Sequence, residues 1–185
     1  MRFPATNPLD DPAALWAFQL ELLTLAESLL GHRDQSRKVY QPQFTDHGPN
    51  LRNTPNLNGA FVELSRTAET DWAEAVFEMA HETVHLLNPV AGNTNNLEEG
   101  VAVAFSFHIQ PAYGINVRPG TTAYDHAYGM ACRLPGGPLA AGRRVRLEVG
   151  ALSTATTETL CILFPELNRA LAAELARPFG GYPAL

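Results

Sequence analysis

Apolar and polar positions along this chain follow a helical period first, a strand period over one short stretch, and a helical period again to near the end. Leu15, Phe18, Leu22, Leu25 and Leu29 recur every three or four residues, with Asp10 or Asp11 ahead of Pro12 to open the segment and Gly31 to close it. That spacing predicts a core-facing helix. From Lys38 to Asn58 the pattern dissolves into Pro, Asn, Gly and Thr around short apolar pieces such as VYQPQF, which suit brief strands joined by turns. GAFVELS, Gly59 to Ser65, sets Ala60, Val62 and Leu64 against Phe61, Glu63 and Ser65, the alternation of a strand with one buried face. Asp71 with Glu74 makes a capping-box-like start to DWAEAVFEMAHETVHLL, a helix that runs until Asn88 precedes Pro89. A second helix is expected from Asn95 or Asn96 to about Ile109, stopped by Pro111 and Gly114. Its middle is apolar nearly all round, so it should be buried. TTAYDHAYGMACRL predicts a third helix, LPGGPLAAG a loop, and TTETLCILFPELNRALAAELA a helical stretch kinked or broken at Pro165, with ARPFGGYPAL as a tail. The fold class expected is α+β: a mainly helical single domain over residues 1–185, with a small N-terminal antiparallel or mixed sheet beside the helix of residues 71–87.

Composition narrows the function. A chain of 185 residues, 45% hydrophobic and 17% charged, is long and apolar enough to bury a core without disulfides or a metal staple. Thirteen basic against nineteen acidic residues give a net charge of −6, which disfavours nucleic acid and anionic membrane and points to a peptide or protein partner. MRFPATNPLDDPAALW has no basic region followed by an uninterrupted apolar run, so no secretory signal is expected. Gln19, Glu21 and Glu27 interrupt LWAFQLELLTLAESLL, which reads as an amphipathic helix rather than a membrane span. Two isolated cysteines, Cys132 and Cys161, are expected as reduced core thiols, in keeping with a cytoplasmic protein.

The chemistry concentrates in HETVHLLNPVAGNTNNLEEG, His81 to Gly100. Residues four apart lie on one helix face, so His81 and His85 can offer their imidazoles to one zinc ion. Glu82 is turned roughly a third of the way round the helix, better placed to hold a metal's water than to ligate the metal. Glu74, Glu78, His81 and His85 form a polar stripe opposite Trp72, Val76, Met79, Ala80, Thr83 and Leu87, which predicts that the histidines leave the core and face a cleft. A catalytic zinc needs three protein ligands and an open position, and either Glu98 or Glu99 completes the set. Periodicity does not choose between them, since Glu98 aligns with Ala102 and Phe105 while Glu99 aligns with Val103 and Ser106. Capping does not choose either: Asn95 can pair with Glu98, or Asn96 with Glu99.

HETVH followed by LEEGVA resembles the gluzincin metallopeptidases, in which HExxH on one helix is joined by a Glu from the next, in some members within an NEGFA-like segment. Thirteen residues between His85 and Glu99, and the small size, are similar to the minigluzincin-like proteins. The resemblance covers Gly59 to Ile109 and implies a zincin-like fold and zinc-dependent peptide hydrolysis. It implies ligation by His81 and His85, with Glu82 as general base. The third ligand is then Glu99, because the matching family residue precedes Gly, here Gly100, and has Ala three further on, here Ala102. One departure stands out: where thermolysin-type relatives place an Asp four after the ligand to orient a histidine, this chain has Val103. Related enzymes steady the oxyanion with a Tyr or His from a later helix, and AYDHAY offers Tyr124, His126 and Tyr128, of which Tyr124 is the candidate. His32, His47 and His108 read as surface or core residues, and GRRVRLE as a solvated face. In this picture GAFVELS forms the cleft's upper edge, where an extended substrate adds as one more strand. The competing expectation is a non-catalytic zinc- or partner-binding protein on the same scaffold.

Overall fold

The computed structural model describes residues 3–90 and 92–180, which form seven α-helices and four short strands, a mixed α+β fold. The chain divides into two compact units, one built from residues 3–28, 32–90 and 105–118, the other from residues 29–31, 92–104 and 119–180.

The first unit opens with α1, Pro12–Leu30, whose N-terminus is capped by the Asp11 carboxylate accepting from the Ala14 amide at 3.0 Å. Among the described helices it is the one long and apolar enough to match a membrane span, yet Leu15, Phe18, Leu22, Leu23 and Ala26 are packed inside the protein. Four strands follow: β1, Lys38–Val39; β2, Gln43–Phe44; β3, Asn50–Asn53; and β4, Gly59–Leu64. The sheet is mixed, β1 and β2 running parallel to β4 and β3 antiparallel to it. The carbonyls of Asn58, Ala60 and Leu64 accept from Lys38, Tyr40 and Thr45, whereas that of Gly59 accepts from Thr54. Carbonyls alternate sides along a strand, so β1 and β2 share one edge of β4 and β3 fills the other. This corrects the expectation that an extended peptide adds along Gly59 to Ser65: β4 is the central strand, paired on both edges.

The next helix, α2, Trp72–Leu86, begins where the Asp71 carboxylate accepts from the amides of Ala73 and Glu74 at 2.8 and 3.4 Å. It packs on β3 and β4. Every residue from Ala75 to Leu86 is buried, including Glu78, His81, Glu82 and His85, so the polar stripe is not a solvent-facing one. Glu78 is satisfied by the strand beside it: the amide and hydroxyl of Ser65, at the end of β4, donate to its two oxygens at 2.9 and 2.5 Å. On the opposite face Gln19 Nε2 donates to Thr83 Oγ1 at 2.7 Å, joining α1 to α2.

Helix α3, Asn96–Tyr113, has residues in both units and is buried along its middle as its composition predicts. It continues past Pro111, four residues beyond the expected end. A proline so close to a helix C-terminus forfeits one amide hydrogen bond and leaves the last turn intact. Gln110 closes the exit, its side chain donating to the Val117 carbonyl at 2.8 Å and accepting from the Val117 amide at 3.0 Å.

In the second unit lie α4, Thr122–Ala131; α5, Pro138–Val149; α6, Thr157–Leu163; and α7, Arg169–Ala176. The break at Pro165 falls between α6 and α7, whose starts are capped by Thr156 and Asn168. Helix α5 overrides the predicted loop, because Pro138 occupies its first turn, where no amide donor is needed. Within it, Arg143 and Arg144 are exposed but Arg146 is buried, its guanidinium donating to the carbonyls of Leu30 and Gly31 at 2.7 Å each. Those carbonyls end α1, at a Gly31 with φ of +93°. Cys132 and Cys161 are free thiols, but Cys132 is exposed and Cys161 half-buried rather than core. Of the predicted tail, residues 181–185 lie outside the described part of the chain.

Candidate metal centre

His81 and His85 sit one turn apart on α2 with ring centroids 5.2 Å apart. Glu99 stands in the first turn of α3. One ligand atom from each of the three lies within 4.8 Å of the others, and all three residues are buried, so the group can hold a metal ion. Glu99 joins the histidines in this arrangement and Glu98 does not, which separates two carboxylates that periodicity left equivalent. Two imidazoles and one carboxylate make a donor set that suits zinc with a position left for water, and also other divalent transition metals.

Further carboxylates are buried on the same two helices. Glu78, Glu82, Glu98 and Glu99 are each at most 5% exposed. Burying carboxylates is costly unless they are paired, hydrogen-bonded or coordinated, and a divalent ion offsets that cost directly. Burial pushes the Glu78 carboxyl up to about 7, against the lowering effect of its bonds from Ser65, with Glu74 and Glu82 adding to the rise.

The local chain explains how Glu99 is presented. Asn95 caps α3, its Oδ1 accepting from the Glu98 amide at 2.9 Å while its carbonyl accepts from the Glu99 amide at 3.1 Å. Its Nδ2 is anchored on the Leu152 carbonyl at 3.0 Å. Thr94, just ahead of the cap, donates its hydroxyl to Glu99 Oε1 at 2.5 Å. Next in sequence, Gly100 admits α4: a Cβ there would lie 2.4 Å from the carbonyl oxygen of Ala127. The supposed tail is part of the same construction. The Asn96 amide donates to the Arg177 carbonyl at 3.1 Å, the Phe179 amide donates to the Thr94 carbonyl at 2.8 Å, and Asn95 and Pro178 form an antiparallel bridge. A three-residue pairing between segments some eighty residues apart leaves no periodic trace in either.

Tyr124 is half-buried on α4, its ring centroid 5.0 Å from that of Phe179. It shares a helix face with Ala127 and Ala131, the residues that meet Gly100. Tyr128 is half-buried and His126 exposed, as are His32, His47 and His108. Val103 is fully buried. Compared with protein-family models, curated proteins and solved structures, the chain finds no match.

Proposed function

We propose that this chain is a zinc-dependent metallopeptidase of zincin-like architecture, with His81, His85 and Glu99 as ligands and Glu82 as general base. The observation that carries the reading is the convergence of those three ligand atoms within 4.8 Å, on two helices, with Glu82 buried beside His81. A group of three rather than four ligand residues, counted among the described residues, favours an open catalytic site over a closed structural one. Zinc bound there would lower the pKa of its water and polarise a peptide carbonyl. Glu82 takes a proton from the attacking water and returns it to the leaving amine. Tyr124 is the proposed donor to the developing oxyanion. With β4 enclosed, the strand available to an extended peptide is β3, which packs on α2 and pairs with β4 along its other side.

The test is Glu82→Gln, which keeps size and polarity but removes the proton acceptor. Wild-type protein loaded with zinc should cleave members of a diverse peptide library, and Glu82→Gln should retain the metal while losing about 10²- to 10⁴-fold in rate. Loss of metal in this variant would make Glu82 a structural group. Tight zinc binding with no cleavage by the wild type would favour the non-catalytic binding protein.

A further inference from the structure

We infer that Thr94 is a positioning residue for the metal centre, holding the Glu99 carboxylate in the orientation from which it ligates. The inference rests on the metal-centre reading and adds to it a residue outside the HExxH and EG segments. The Thr94 hydroxyl donates to Glu99 Oε1 at 2.5 Å, five residues along the chain. Glu99 has three rotatable side-chain bonds, and a bond to one of its oxygens fixes the terminal carboxylate rotation that α3 by itself leaves open. Ligating carboxylates depend on such partners for their aim.

Thr94 is itself immobilised by backbone on both sides. Its carbonyl accepts from the Phe179 amide at 2.8 Å, and the next residue, Asn95, is buried and bonded through both ends of its side chain, to the Glu98 amide and the Leu152 carbonyl. The segment Arg177–Phe179 thus straps the loop that carries the hydroxyl, and the hydroxyl fixes the ligand.

The experiment compares Thr94→Val, which keeps the shape and removes the hydroxyl, with Thr94→Ser, which keeps the hydroxyl. Zinc affinity is measured on the full chain by competition with a chromophoric chelator, and the visible absorption of the Co(II)-substituted protein reports ligand geometry. Thr94→Val should bind zinc about 10- to 100-fold more weakly with an altered Co(II) spectrum. Thr94→Ser should restore both, and melting of the metal-free proteins should be alike. Zinc affinity of Thr94→Val within about twofold of the wild type, with an unchanged Co(II) spectrum, would overturn the role of Thr94 while leaving the centre standing. Wild-type protein that binds neither metal, or binds them as well after His81→Ala, would overturn the centre and the role of Thr94 together.

Discussion

The backbone of Gly100 and the carbonyl oxygen of Ala127 approach so closely that a Cβ on residue 100 would stand 2.4 Å from that oxygen and 2.7 Å from the Ala131 Cβ. Neither obstacle is the end of a flexible side chain, so the crossing of α3 and α4 must open to admit even a methyl group. Gly100→Ala gains helix propensity of about 1 kcal/mol, and an overpacked helix contact costs about 1–3 kcal/mol. The clash involves backbone and should win. The variant is expected to melt below the wild type and, because Glu99 is the adjacent residue, to bind zinc less tightly. A melting temperature at or above the wild type's would show that the crossing yields freely.

Glu98 and Glu99 are both buried in the first turn of α3, and among the described residues the group placed to hold a metal is His81, His85 and Glu99. Glu99→Gln should therefore lower zinc affinity by at least tenfold, whereas Glu98→Gln should leave it within a few-fold, both read by chelator competition. The reverse ranking would move the ligand to Glu98 and undo the alignment with the EG segment. The same assay should give about one zinc per chain, lost in His81→Ala and in His85→Ala.

What the sequence reveals of this site follows from how local each signal is. The cap at Asp71, the i, i+4 histidines and the alternation of Ala60, Val62 and Leu64 each act within a few residues, and the corresponding α2 and β4 form as expected. β1 and β2 have two residues each, too few to carry a period, so the enclosure of β4 on both edges is invisible until the strands are paired. Glu78 reads as part of a cleft-facing stripe because it is charged; its burial is matched by Ser65 arriving from β4, thirteen residues away in sequence. Pro138 after two glycines reads as a loop, and only the helix that follows shows it to be a first-turn proline. Thr94 has no motif at all, since its role comes from facing Glu99 across the α3 cap.

Arg146 offers a test of the second unit by itself. Its two bonds to the carbonyls of Leu30 and Gly31 serve groups that α1 leaves without helical partners. Hydrogen bonds from a charged donor are worth about 1.5–3 kcal/mol in total effect when one partner is removed. Arg146→Met fills similar volume and removes both, so urea unfolding should show a loss of about 2–3 kcal/mol, with Arg143→Met on the exposed face close to neutral. Equal effects of the two substitutions would mean that the bonds to α1 contribute nothing.

The last expectation concerns pH and rests on Glu78. In the folded chain burial, assisted by Glu74 and Glu82, lifts its carboxyl from the usual 4.5 to about 7, even though the Ser65 amide and hydroxyl favour the ionised form. Between those two values the folded state holds a proton that the unfolded chain has released, so stability falls as pH rises through the window. The sign is opposite to that of a salt-bridged carboxylate, whose contribution is lost on acidification. Glu78→Gln keeps an acceptor for Ser65 and cannot ionise, so it should match the wild type near pH 4.5 and exceed it near pH 8 by up to about 3 kcal/mol. The comparison belongs in metal-free protein with chelator present, because a bound cation would itself favour the ionised carboxyls around it. Denaturant unfolding of both proteins at several pH values reads the difference directly, and the shared titration of histidines and other carboxyls cancels between them. A difference that stays flat from pH 4.5 to 8 would show that Glu78 ionises as an ordinary carboxyl, and that its bonds from Ser65 balance its burial.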